Sequence, residues 1–164
     1  MPNIHTTKSS YKAPSSVQGW SWLPYSSPSP YLQTLSAAIS LIDDNIKKSK
    51  SCNEAFKKLP SGREFSEIWN DSSIWISLDP SNMKDKYGAT LSSKHITLTA
   101  YTLKMGKWTT AATLMHELAH VGGALGTGTD AEDILLKCLL RGLHNPNIIG
   151  QLIRGRKYNS SYTS

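Results

Sequence analysis

The segment from Trp108 to Gly123 limits the fold of this chain more than any other. Trp108, Ala111, Leu114, Met115, Leu118 and Val121 recur at the spacing of one helical face. Thr109 or Thr110 is the expected N-cap, and Gly122-Gly123 is a stop signal of the kind helices use at their C-terminus. A different face carries His116 and His120 with Thr109 and Thr113. A helix packed by its apolar stripe therefore presents two imidazoles together, and the chain then turns sharply.

The pattern His116-Glu117-Leu118-Ala119-His120 has a physical reading. Residues i and i+4 lie one above the other on a helix, so both rings can aim at one metal ion, with Zn–N distances of about 2.0–2.1 Å. Glu117 is displaced by about 100° around the axis, beside the metal rather than on it. There it can take a proton from a water. A catalytic zinc usually has three protein ligands and one open position. The third must come from just beyond Gly122-Gly123, and the candidates are Asp130, Glu132 and Asp133. Acids at those positions also complement the dipole of a helix starting there.

Composition excludes several classes. With 164 residues the chain is long enough for one domain with a real core. No apolar run approaches the roughly 18 residues of a membrane span, and the polar N-terminus has no secretory h-region. If the protein leaves the cell, a larger parent chain or another route carries it. Five of the six net positive charges sit at the ends: residues 1–30 and 154–164 carry Lys and Arg but no acid. Charge confined to termini points to solvated tails, not to a nucleic-acid stripe. Cys52 and Cys138 read equally well as a disulfide or as two buried thiols.

The rest of the chain reads as an α+β domain over residues 31–153, mostly helical, with a short antiparallel sheet before the histidine helix. Residues 1–30 hold five of the eight prolines, so they suggest a linker or strap. Tyr11, Trp20, Trp22 and Tyr25 are unusual for a free linker, and imply either burial across the domain or descent from a longer chain. Leu32, Leu35, Ile39, Ile42 and Ile46 predict a helix over 31–49 started by Pro30, with Asp43–Lys47 and Asp44–Lys48 as i,i+4 pairs. Capping-box patterns at Ser51–Glu54, Ser61–Glu64 and Thr129–Glu132 predict three further helix starts. Ile74–Leu78 reads as a strand and residues 87–100 as a hairpin. In its second arm Ile96, Leu98 and Ala100 alternate with His95, Thr97 and Thr99, which predicts a half-exposed strand able to pair with an extended peptide. Residues 154–164 read as a basic tail.

The histidine motif with Val121-Gly122-Gly123 resembles the zincin metallopeptidases. Gly126 stands where the metzincin branch carries His or Asp, so likeness to that branch stops at Gly123. Gly126-Thr-Gly-Thr-Asp130 is similar to the third-ligand element of the deuterolysin-like aspzincins, although it is shifted by one residue and has Asp133 where that family has tyrosine. The resemblance implies Asp130 as third ligand, with Glu132 as the alternative. Trp108–His120, Ala131-Glu132, Cys138 and Pro146–Gly150 also resemble the metallopeptidase domains at the C-termini of bacterial RHS-type polymorphic toxins. That likeness spans roughly residues 87–150. It implies delivery by a parent protein, a protein or peptide substrate, and an immunity or inhibitor protein as partner.

The expectation is a zinc metallopeptidase: His116, His120 and Asp130 or Glu132 hold the ion, Glu117 is general base, and Tyr101, Tyr87 or His144 steadies the oxyanion. The alternative is a non-catalytic, zinc-stabilised binding module, which usually needs a closed four-ligand site with cysteines.

Overall fold

The N-terminal segment, the sheet and the helices form three layers. The computed structural model describes residues 1–142; His144, the stretch 146–150 and the basic tail lie outside them. The elements in order are β1 (Asn3–Ile4), α1 (Pro30–Asn45), α2 (Lys50–Lys57), α3 (Phe65–Trp69), β2 (Trp75–Asp79), β3 (Gly88–Leu91), β4 (His95–Thr99), α4 (Ala100–Lys104), α5 (Lys107–Val121) and α6 (Asp130–Gly142). This is a small α+β domain. Its sheet has the order β1-β2-β4-β3 and is mixed, not antiparallel throughout. Only the β3–β4 hairpin runs antiparallel; β2 is parallel to both β1 and β4. The chain leaves β2, passes to the far side, returns through β3 and inserts β4 between them. β4 therefore has both edges paired, and β3 carries an open edge among the described residues.

One face of the sheet packs on the helices through Ile76, Ile96 and Leu98, all in the main core. Their neighbours on the other face, Ser77, Thr97 and Thr99, are buried as well. The predicted half-exposed strand is thus covered on its polar side, and the cover is the segment before α1. Asn3 and Ile4 pair with Trp75 and Ile76, and Leu23 bridges Leu78. Trp20 and Trp22 pack on Ala89 in a second apolar cluster. Tyr25 is fully buried, and its hydroxyl donates to the Ser77 carbonyl at 3.1 Å. Asp79 draws the layers together. Its carboxylate accepts from Ser21 N–H and from the Lys86 ammonium at 2.9 Å, while Lys86 also donates to Gly19 O and lies over the Trp20 ring.

Helix starts differ from expectation where several polar side chains compete for one cap. Ser49, not Ser51, accepts from Cys52 N–H, while Ser51 donates to the Lys137 carbonyl. α3 begins after Glu64, which forms a capping box with Glu67 instead of with Ser61. Asp43 pairs with Lys47 and also accepts from the Trp69 indole. α2 and α6 are joined by a disulfide between Cys52 and Cys138, both fully buried.

Candidate metal centre

α5 is the central helix. Every residue from Thr110 to Val121 is buried, as expected for a helix with neighbours on all sides. It starts at Lys107 with Gly106 as N-cap, three residues before the nearer predicted threonine cap, and no side chain caps it. Thr110 instead donates back to the Gly106 carbonyl. At the other end Gly122 leaves no room for a side chain, since a Cβ there would lie 2.7 Å from Leu59 Cδ1. Gly123 follows at φ +97°, where glycine is favoured. The reversal brings the Ala124 carbonyl back beneath the helix.

That carbonyl sets the state of His120. Its Nδ1 lies 2.8 Å from Ala124 O, which can only accept, so Nδ1 carries the proton and Nε2 carries a lone pair. His116 Nε2 lies 3.1 Å from that Nε2 atom, with the rings edge to face. Burial holds both rings neutral: His116 is pushed down to about 3, first by desolvation and then by His120. His120 is lowered by desolvation, against the Ala124 bond and the Glu132 charge. His116 Nε2–H therefore donates to the His120 Nε2 lone pair, and both rings are neutral, the charge state in which histidine binds metals.

Among the three acids, the structure brings Glu132 to the histidines. Its Oε1 lies 4.0 Å from His116 Nδ1, and its Oε2 is buried with no hydrogen-bond partner among the described residues. Asp130 is exposed at the first residue of α6, and Asp133 accepts from the Thr129 hydroxyl. The Thr129–Glu132 capping box does not form, because the Glu132 side chain turns toward α5. No group of three or more His, Cys, Asp or Glu among the described residues is arranged to hold a metal ion. What they do supply is two converging Nε2 atoms, with the Glu132 carboxylate on the Nδ1 side of His116. Neither a family model, nor a curated protein, nor a solved structure matches the chain.

Glu117 is 2% exposed and points to β3, where the Thr90 hydroxyl donates to its Oε2 at 2.8 Å. Desolvation pushes its carboxyl up to about 8, and the Thr90 bond pulls weakly the other way. The other oxygen lies over Gly88: a Cβ there would be 3.2 Å from Oε1, 3.1 Å from Thr113 Cγ2 and 3.0 Å from the Thr97 carbonyl. Gly88 and Thr90 are absent from the sequence reading. The signal was available, because Gly88 pairs with Leu98 and Thr90 with Ile96, so both share the core-facing side of the hairpin. Among the suggested oxyanion donors, Tyr87 and Tyr101 pack edge to face with each other.

The crowding at Gly88 makes a prediction. Gly88→Ala should destabilise the chain by about 1–2 kcal/mol in urea unfolding, because main chain on one side and a buried carboxylate on the other must give way. Wild-type stability in that variant would mean that Glu117 does not occupy this position.

Proposed function

We propose that this chain is a zinc-dependent peptidase, with His116, His120 and Glu132 as the residues that would hold the ion. The observation that carries this reading is the approach of two neutral imidazoles at 3.1 Å, nitrogen to nitrogen, on a buried helix. The donor set fits zinc in kind, and the Glu132 oxygen that has no hydrogen-bond partner among the described residues is the buried acceptor that a cation beside His116 would satisfy. Glu132 replaces Asp130 as the favoured third ligand. Zinc, when bound, supplies Lewis acidity: it lowers the pKa of water toward 7 and polarises a scissile carbonyl.

The chain's own residues do the rest. The Ala124 carbonyl fixes the His120 tautomer, the support that metal-binding histidines ordinarily need. Glu117, neutral below about pH 8 in the metal-free chain, becomes a carboxylate once a cation lies beside it. It can then accept a proton from water and pass it to the leaving amine. The open edge of β3 offers main-chain groups to an extended peptide, and the residues that cradle Glu117 lie on that strand. β4, the strand expected for this role, is enclosed. A protein substrate and a toxin or effector role delivered by a parent chain complete the proposal, with an inhibitor protein as partner. The structural-zinc alternative loses its cysteines, since Cys52 and Cys138 are bonded to each other.

Metal analysis of the purified chain tests the reading. One zinc per chain is expected, with hydrolysis of denatured casein that is lost on chelation and restored by zinc. His120→Ala should weaken zinc binding by about a hundredfold or more. A chain that takes up no zinc would overturn the proposal.

A further inference from the structure

We propose that Thr90 is a positioning residue for the reaction inferred above, its hydroxyl setting where the Glu117 carboxylate sits. The inference rests on the peptidase reading and adds to it a residue outside the histidine motif. Thr90 Oγ1 has one proton and two acceptors on Glu117: the carboxylate Oε2 at 2.8 Å and the main-chain carbonyl at 3.1 Å. Donation to the carboxylate holds that oxygen against β3. Donation to the carbonyl keeps the hydroxyl in place and leaves both carboxylate oxygens open to accept a proton. No rotation of the strand is required to pass between the two, because a hydroxyl proton turns freely about its C–O bond.

Gly88 completes the cradle. It lies two residues away on the same face of β3, and a Cβ there would press on Oε1 at 3.2 Å. One oxygen of Glu117 is therefore seated by absence of a side chain and the other by a hydroxyl.

The same two residues face the open edge. Thr99 N–H donates to the Tyr87 carbonyl, which makes Tyr87 and Thr99 a hydrogen-bonded pair. By alternation Ala89 and Leu91 also turn their main-chain groups toward β4, and Gly88 and Thr90 turn theirs outward. A peptide added along β3 would bond to the main chain of the residue whose side chain holds Glu117. Substrate alignment and proton acceptance then share one rigid support.

The test compares Thr90→Val, Thr90→Ser and the wild type on denatured casein, together with zinc affinity by competition with a chromophoric chelator. Thr90→Val should lower kcat by about 10- to 100-fold with KM within about twofold, the pattern of a lost transition-state interaction. Thr90→Ser should keep kcat within about threefold, and both variants should bind zinc like the wild type. A double-mutant cycle with Glu117→Met, which removes the side-chain acceptor at similar length, read by urea unfolding of the zinc-free chain, should show a coupling of about fivefold or more in the folding constant. No coupling, wild-type kcat in Thr90→Val, or a tenfold loss in Thr90→Ser would overturn the role of Thr90 while the zinc reading stands. Failure of the wild type to bind zinc would instead overturn the peptidase reading and this inference with it. Should Thr90→Val not fold, Thr90→Ala, which also lacks the hydroxyl, takes its place in the same comparison and cycle.

Discussion

Glu117→Gln should keep its zinc and lose hydrolysis by about 10²- to 10⁴-fold, the span over which general acid–base catalysis contributes. The amide matches the carboxylate in size, so the cradle of Gly88 and Thr90 stays filled. His116 and His120 are untouched, so the metal should remain. A variant with wild-type turnover would remove Glu117 from the chemistry, and one that lost zinc would show that Glu117 belongs to the metal shell instead.

The same substitution has a signature in the metal-free chain. Glu117 has its carboxyl raised to about 8 in the folded state, above an ordinary value of 4.5. Between those values the folded chain binds a proton that the unfolded chain lacks, so its contribution to stability is full below about pH 4.5 and lost as pH rises through 8. His116 acts in the opposite sense. Lowered to about 3 from 6.5, it contributes stability that is present above 6.5 and lost as pH falls through 3. The two slopes offset each other between about pH 4.5 and 6.5, and Glu117 alone makes stability fall from there to about 8. Glu117→Gln should abolish that upper fall, turn the offset between about pH 4.5 and 6.5 into a rise, and leave the region below about 4.5 unchanged, as read by urea midpoints across the pH range.

The histidine helix was legible because its chemistry and its packing share one period. Apolar residues three and four apart define the buried stripe, and imidazoles four apart define the proposed metal face. α1 was legible for the same reason. Strand order was not, since a hairpin's alternation looks the same whether its first or second arm lies at the edge. β4 became central only because β2 pairs with it in parallel across a long separation. The covering segment left a partial trace: its aromatic residues signal burial, but only the pairing of Asn3, Ile4 and Leu23 with β2 shows what they cover. Which acid lies nearest the histidines was the hardest to read. Asp130, Glu132 and Asp133 are chemically alike in sequence, and the choice depends on how α6 is rotated. Ala131, Ile134, Leu135 and Cys138 turn inward, and Glu132 comes to lie beside His116.

That rotation has a covalent anchor, and removing it should give the largest change in stability. Cys52 and Cys138 are 86 residues apart, so their bond closes a loop containing α3, all of β2–β4 and the histidine helix. Loop-closure entropy for that length corresponds to about 4.5 kcal/mol, and loss of a native disulfide typically costs about 2–5 kcal/mol. For a chain of 164 residues this predicts a Tm lower by about 6–15 °C in the Cys52→Ala/Cys138→Ala double variant. Alanine is the appropriate replacement because both positions are fully buried and a serine hydroxyl there would need a partner. The effect should reach the metal centre. Without the bond α6 is held by packing alone, so the double variant should bind zinc more weakly than the wild type even well below its Tm. Reduction of the wild type should reproduce both changes, and such bonds persist in oxidising compartments, as the proposed delivery by a parent chain would require. A double variant that melts within about 2 °C of the wild type would show that the folded chain does not depend on this link. If it also bound zinc normally, packing between α5 and α6 would suffice to aim Glu132.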